Sequence, residues 1–246
     1  MTDNALISVR DVAKVYRMGD EEVHALRNIT ADIARGEYVS IMGPSGSGKS
    51  TLFNMIGGLD TPSGGEVVVD GWKLADLNSD QLAWFRNRNI GFIFQNFNLV
   101  PTMTAAENVA IARMFTGVSA HEANEAAGRV LEKVGLGHRL HHLPGEVSGG
   151  QQQRIAIARA LVNEPLIILA DEPTGNLDLK TGHQIIELLM EMKNTYGITV
   201  ITATHDMKMI SASDKLIKIR DGAVEEILGK QDMNVTVGTI DGESIM

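Results

Sequence analysis

The chain has 246 residues, 43% of them apolar, enough for one large globular domain or a core domain carrying a smaller insertion. A net charge of -9 argues against nonspecific binding to DNA or RNA, which rests on Lys and Arg neutralising phosphates, and leaves room only for a local basic patch. The absence of cysteine excludes disulfides, thiolate zinc sites and a cysteine nucleophile. No stretch approaches the roughly 20 consecutive apolar residues of a membrane helix. The start, Met1-Thr2-Asp3-Asn4, has neither the basic end nor the apolar run of a secretion signal, so the expected location is the cytoplasm.

In chain order, Ile7-Ser8-Val9-Arg10 alternates, and Val23 to Ile33 and Tyr38 to Met42, separated by Gly36, predict further strands of a β-rich beginning. Tyr16 lies in this region as an adenine-stacking ring or an ordinary packed aromatic. Next comes Gly43-Pro44-Ser45-Gly46-Ser47-Gly48-Lys49-Ser50, a complete phosphate-loop pattern directly after a predicted strand and at the start of a predicted helix, Thr51 to Ile56, which stops at Gly57-Gly58. Its backbone N–H groups are expected to cradle the β-phosphate, with Lys49 on the β and γ oxygens, Ser50 on Mg2+ and Thr51 near the α-phosphate. A plain glycine-rich turn gives no reason for Lys-Ser at the helix start. Glu66 to Val69 predicts a short strand turning at Asp70-Gly71, and Gly91 to Gln95 another. Gln95 is a candidate ligand for Mg2+ or water, with an ordinary loop residue as the alternative.

From Ala105 to Leu140 the pattern changes to Ala, Glu, Arg and Leu at helical spacing, with turn signals at Gly117 and Gly135, which predicts an all-helical insertion. It leads to Ser148-Gly149-Gly150-Gln151 and the amphipathic stretch Gln152 to Val162. Two adjacent glycines permit close approach of backbone to a polyanion, and the helix behind them presents N–H groups and its positive end, a second phosphate-facing surface. His138, His141 and His142, with Glu146 nearby, form either a metal site or a solvated helix end.

Alternation of strand and helix follows: Leu166 to Ala170, a helix marked by Ile185 to Met190, then Ile198 to Thr202. Such alternation implies a parallel sheet whose ligands sit at the carboxyl ends of the strands. Asp171-Glu172 stands at one such end, where burying two carboxylates is costly unless they bind or react. Asp171 can hold Mg2+ through a water, and Glu172 can polarise an attacking water as general base. A helix cap or salt-bridged turn is the plainer alternative. His205 follows the next strand and can donate to γ-phosphate oxygens, or simply lie at the surface. Lys215 to Ile219 and Ala223 to Ile227 form a predicted hairpin through Asp221-Gly222. Gly229 to Met246 is acidic and weakly patterned, an expected loose tail.

These motifs together resemble the nucleotide-binding subunit of ATP-binding-cassette transporters over Ile7 to Ile227. The resemblance implies that Tyr16 stacks on adenine, Gln95 links metal to a membrane partner, Ser148 to Gln151 is the signature, Asn176-Leu177-Asp178 communicates across a dimer and His205 is a switch histidine. It implies ATP and Mg2+ as cofactors, with Ser50, Gln95 and Asp171 toward the metal and Glu172, Lys49 and His205 in catalysis. Within the superfamily, Gly57-Gly58-Leu59-Asp60, Phe94 to Pro101 and Asp171 to Asp178 look like the lipoprotein-releasing and macrolide-exporting group. Val147 stands where the signature usually begins with leucine.

The expected fold is therefore α/β: a P-loop NTPase core with a mostly parallel sheet, an N-terminal antiparallel β subdomain and an inserted helical subdomain. Core and β subdomain are expected over 1–95 and 160–228, the helical subdomain over about 96–159 and the tail over 229–246. The expected assembly is an ATP-dependent homodimer that touches the inner face of the cell membrane only through an integral permease, without nucleic acid. A regulatory ATPase that gates a cell-division or cell-wall complex without transport is the competing reading.

Overall fold

The computed structural model describes residues 5–19 and 21–233. Two long strands, β1 (Ala5–Met18) and β2 (Glu21–Ala34), pair antiparallel with each other, and β1 pairs also with β4 (Gly64–Val69), which carries the short β5 (Trp72–Lys73) at its other edge. The second sheet has the order β10-β9-β3-β8-β7-β6. It comprises β3 (Tyr38–Met42), β6 (Ile90–Ile93), β7 (Ile167–Asp171), β8 (Thr199–Ala203), β9 (Lys215–Arg220) and β10 (Ala223–Gly229). All neighbours in it are parallel except the β9–β10 hairpin.

Alternation along β7 shows how the sheet divides the core. Ile167 and Leu169 join a cluster with the β subdomain and α1 (Lys49–Ile56), whereas Ile168 and Ala170 join one with the helices on the other face. Both faces are covered, so the strand is apolar from Ile167 to Ala170, as a central parallel strand requires. Full burial of each such aliphatic side chain contributes about 1.5–3 kcal/mol.

Three helices make up the insertion: α3 (Ala105–Met114), α4 (Ala120–Lys133) and α5 (Gly149–Leu161). Each begins at a Thr or Ser whose side chain accepts the N3 backbone N–H: Thr104, Ser119 and Ser148. Such caps are worth about 1 kcal/mol each. The residue 159/160 boundary expected from the sequence falls inside α5, which runs on without a break and packs into the same cluster as Ile168 and Ala170.

Several expectations need correction. An unforeseen helix, α2 (Ser79–Asn89), buries only Phe85 and is set instead by a capping box between Asn78 and Gln81. The strand expected to reach Gln95 closes at Ile93, because a turn with Phe97 N–H on Phe94 O leads the chain away. The helix marked by Ile185 to Met190 is longer, α6 (Leu179–Tyr196), capped by Asp178 and stopped at Gly197 in the left-handed region. A short α7 (Met207–Ala212) follows β8. Of the expected tail, Gly229 closes β10 opposite Lys215 and Lys230–Asp232 adds a 3-10 turn, while 234–246 lie outside the described residues. No helix among the described residues is long and apolar enough to cross a membrane.

Candidate functional site

Four adjacent parallel strands, in the order β3-β8-β7-β6, end on one rim, and each delivers a residue singled out from the sequence. After β3 comes the phosphate loop; after β8, His205; at the end of β7, Asp171 and Glu172; after β6, Gln95. The rim is stitched by backbone bonds: Glu172 N–H donates to Ala203 O at 2.9 Å, and Thr204 N–H to Ile41 O at 3.1 Å. Placing ligand groups at the carboxyl ends of parallel strands is the general behaviour of such sheets.

The phosphate loop wraps the start of α1. Lys49 Nζ donates to Gly43 O at 2.7 Å and Pro44 O at 3.1 Å, Ser47 N–H to Pro44 O at 3.2 Å and Gly222 N–H to Ser47 O at 3.0 Å. Gly48 caps α1 with φ 103°, and a Cβ there would lie 2.6 Å from Ala25 O, so no other residue type fits without moving β2. Ser47 Oγ is buried with no hydrogen-bond partner among the described residues. Pro44, Ser45, Gly46 and Ser50 are exposed around this cradle.

Asp171 is half-buried, and burial first, then the neighbouring Glu172 charge, push its pKa up, with Lys49 opposing. A carboxylate so destabilised at neutral pH is one that a cation would relieve. The donor set of Ser50 hydroxyl, Asp171 carboxylate and Gln95 amide consists of hard oxygens, which fits Mg2+. Glu172 has φ 45°, a left-handed backbone that costs a non-glycine residue about 1–3 kcal/mol and clusters at active sites. Its Oε1 lies 2.9 Å from Nδ1 of His205, whose ring is otherwise open to solvent.

Tyr16 is not a core aromatic: it is 36% exposed, and its hydroxyl donates to Asp60 Oδ2 at 2.8 Å. Burial and then Asp60 raise its pKa. Lys14 Nζ sits 4.9 Å over the same ring and bonds Asp60 Oδ1 at 2.6 Å. Asp60 and Lys14 thus orient Tyr16, a role that no sequence spacing displays.

Gln95 lies in a loop held from two sides. Asn176 Nδ2 donates to Gln95 O at 3.0 Å and Asn96 Oδ1 at 2.9 Å, and a Cβ on Gly175 would come within 2.8 Å of Gln95 Nε2. Arg159, near the end of α5, donates to Asn98 O at 2.5 Å and Phe97 O at 2.8 Å, two residues with φ of 50° and 60°. Burial lowers the pKa of its guanidinium. Between α2, β6 and α3 a groove of about 780 Å³ opens, lined by Trp84, Phe92, Asn98, Phe115 and Arg159 among others.

The Ser148 turn stands apart from this rim. Ser148 Oγ accepts from Gln151 N–H at 3.3 Å and Gln151 Oε1 from Ser148 N–H at 3.0 Å, so the turn is satisfied within itself. At Gly149 a Cβ would make ordinary contact with Leu177 and Phe97, but at Gly150 it would overlap Thr181 Cγ2, so that glycine is required by packing on α6. Among the described residues no hydrogen bond or ion pair joins Ser148 to Gln151 with Lys49, Asp171, Glu172 or His205. Asp178 Oδ1 accepts from Lys180 N–H at 3.1 Å and Thr181 N–H at 3.0 Å, and its bonds with Thr181 chiefly hold its pKa low. Of the three histidines, His142 pairs with Arg139 Nη1 at 2.7 Å, and no metal-competent group of His, Asp or Glu occurs among the described residues.

A family model described as ABC transporter matches residues 26–175. An uncharacterized ABC transporter ATP-binding protein of Thermotoga maritima is 50% identical over 88% of this chain and 92% of its own length. The macrolide export ATP-binding/permease protein MacB of Brucella abortus is 48% identical over 98% of this chain, which spans only 37% of that relative. Among solved structures, the dimeric post-hydrolysis state of the ATP-binding cassette MJ0796 of Methanocaldococcus jannaschii, bound to ADP and Pi, matches with a TM-score of 0.84 and 46% identity. That match covers 91% of this chain and 98% of the other.

Proposed function

This chain belongs to the ABC transporter family and is an ATPase, and we propose that it works as a head-to-tail homodimer in which each phosphate loop faces the partner copy's signature turn. One observation carries the reading. Lys49, Asp171, Glu172 and His205 converge on one rim, whereas the Ser148 turn shares no hydrogen bond or ion pair with them among the described residues. A helix N-terminus with an exposed Ser148 and two glycines is suited to a phosphate, and the phosphate it meets belongs to the other copy's ATP.

In this site Tyr16 stacks on the adenine, and the N–H groups from Gly43 to Ser50 cradle the phosphates with Thr51 beside them. Lys49 exchanges its bonds with Gly43 and Pro44 carbonyls for β and γ oxygens. Ser50, Asp171 and Gln95 hold Mg2+, which neutralises phosphate charge when bound. Glu172, fixed by its strained backbone and by His205, accepts a proton from the attacking water, and His205 follows the γ-phosphate. Asp178, at the head of α6, reads the partner copy. With γ-phosphate gone, the bridge between the copies is lost and the dimer opens.

The moving part acts on an integral membrane permease seated in the groove between α2 and α3, next to the Gln95 loop. Membrane contact at the inner face runs through that partner, and nucleic acid has no part in it. The MacB name joins a cassette similar to this one with a permease for macrolide export, and the Gly175-Asn176-Leu177-Asp178 loop suits the same export or lipoprotein-release group. Trapping tests the dimer: Glu172→Gln with ATP is expected to elute at doubled mass in sizing chromatography, and with ADP as a monomer. A monomer under both conditions, at saturating ATP, overturns the sandwich. Stimulation of ATPase turnover by a permease with a large periplasmic domain, rather than by a division-complex membrane protein, is the expected result for the finer reading.

A further inference from the structure

On the side of the molecule away from the nucleotide rim, where strands β7 and β8 begin, a cavity of about 340 Å³ lies between the helical insertion and the sheet. Its floor is apolar: Ala126, Leu161, Val162, Met192 and Ile198 are all buried there. Its rim is cationic, with Arg113, Arg129 and Lys133 against the single acid Glu164. Volume and lining match the lower end of the roughly 300–1,000 Å³ range of small-ligand pockets, which combine apolar walls with a few polar groups.

Two features set this rim apart from an ordinary solvated helix face. The Arg113 head group borders the cavity and has only a long ion pair, Nη2 to Glu122 Oε1 at 4.0 Å. Neither Arg129 nor Lys133 has an ion-pair partner among the described residues, and Lys133 Nζ rests 4.9 Å over the Tyr196 ring instead. Three cations with so little acid among them, beside an apolar floor, suit an anionic acceptor attached to an apolar body.

We propose that this cavity is a binding site for a small amphipathic monoanion, with its anionic head on Arg113 and the neighbouring cations and its apolar body on the floor formed by α4, α5 and α6. Because α3 and α4 supply one wall and α6 with Pro165 and Ile198, which lead into β7 and β8, the other, an occupant ties the insertion to the sheet at a point remote from the phosphate loop.

Octanoate is the probe, titrated by calorimetry into the whole chain below its micelle concentration, beside 1-octanol and octylammonium, which share the tail and differ in charge. The expected result is saturable one-to-one binding of octanoate, with both analogues at least about tenfold weaker. Arg113→Met, which keeps the stem and removes the charge, and Val130→Phe, which fills the mouth, each weaken octanoate by at least about tenfold while ATP affinity stays unchanged as a check of folding. Absence of saturation, equal binding of octylammonium or octanol, or unchanged octanoate affinity in the folded variants overturns the site. Should a variant fail to fold, the three-ligand series on the unaltered chain decides.

Discussion

At the sheet rim Lys49, Asp171, Glu172 and His205 answer one another inside a single chain, whereas the Ser148 cap closes its hydrogen bonds within its own turn. The rim stores electrostatic and backbone strain: a half-buried Asp171 pushed up by its surroundings and a Glu172 in the left-handed region. The turn stores none, because a capping box satisfies it. A group under strain is prepared for a ligand of its own, and a relaxed helix end is prepared to be brought to someone else's. On the proposed composite site, one copy of this chain brings the charged half and the other the uncharged half.

The largest expected effect breaks the rim. Glu172→Gln keeps the size and the left-handed backbone position and removes the base, so steady-state ATP turnover is expected to fall by at least about a hundredfold with nucleotide affinity retained. Turnover near that of the unaltered chain removes Glu172 from the chemistry.

Next in size is the link between the two regions. Arg159 lies on the helix that begins at the Ser148 turn and holds the Gln95 loop by two carbonyls. Arg159→Met leaves both carbonyls without their donor, which is expected to cost about 1–3 kcal/mol of stability in thermal or urea unfolding. Arg159→Lys, which bonds one carbonyl at a time, is expected to recover part of the loss. Unchanged stability in Arg159→Met shows that the loop is held by Asn176 alone.

The smallest effect concerns Asp171. A carboxyl whose pKa is raised on folding stabilises the fold while protonated and withdraws that contribution as pH rises through its folded value. At neutral pH without Mg2+, Asp171→Asn is therefore expected to raise the melting temperature, with the difference vanishing as pH falls below the ordinary aspartate range. The same variant is expected to lose Mg2+-dependent turnover. A lower melting temperature at neutral pH contradicts the strained-rim account.

Local chemistry is the legible part of this sequence. The phosphate loop, the apolar strand before Asp171 and the Ser148 cap each lie in consecutive residues, so their structure follows from spacing alone. Helix α2 escapes such a reading because a single buried side chain, Phe85, leaves no periodic stripe; the Asn78 to Gln81 capping box is its only signal. Arg159 and Asp60 escape it for another reason. Their partners are backbone carbonyls some sixty residues away or a tyrosine on β1, and no spacing rule carries such pairings. Gly150 carries a signal that spacing explains only by half, since its neighbour Thr181 comes from a helix whose packing the sequence does not display.

The central claim is that the two halves meet between chains, and mixing two broken chains tests it most directly. Lys49→Ala spoils the phosphate loop and Ser148→Arg blocks the signature turn, so each homodimer has two broken sites. A mixed dimer pairs the intact loop of one with the intact turn of the other, giving one whole site and one doubly broken site. Random pairing of equal amounts makes about half the dimers mixed, so ATPase activity is expected to rise from near zero toward at most about a quarter of the unaltered level. ATP-dependent formation of the mixed species is followed alongside, since strict coupling of the two sites can silence turnover without preventing assembly. If neither turnover nor the mixed dimer is seen, with both variants folded, the loop and the turn do not form a site between chains.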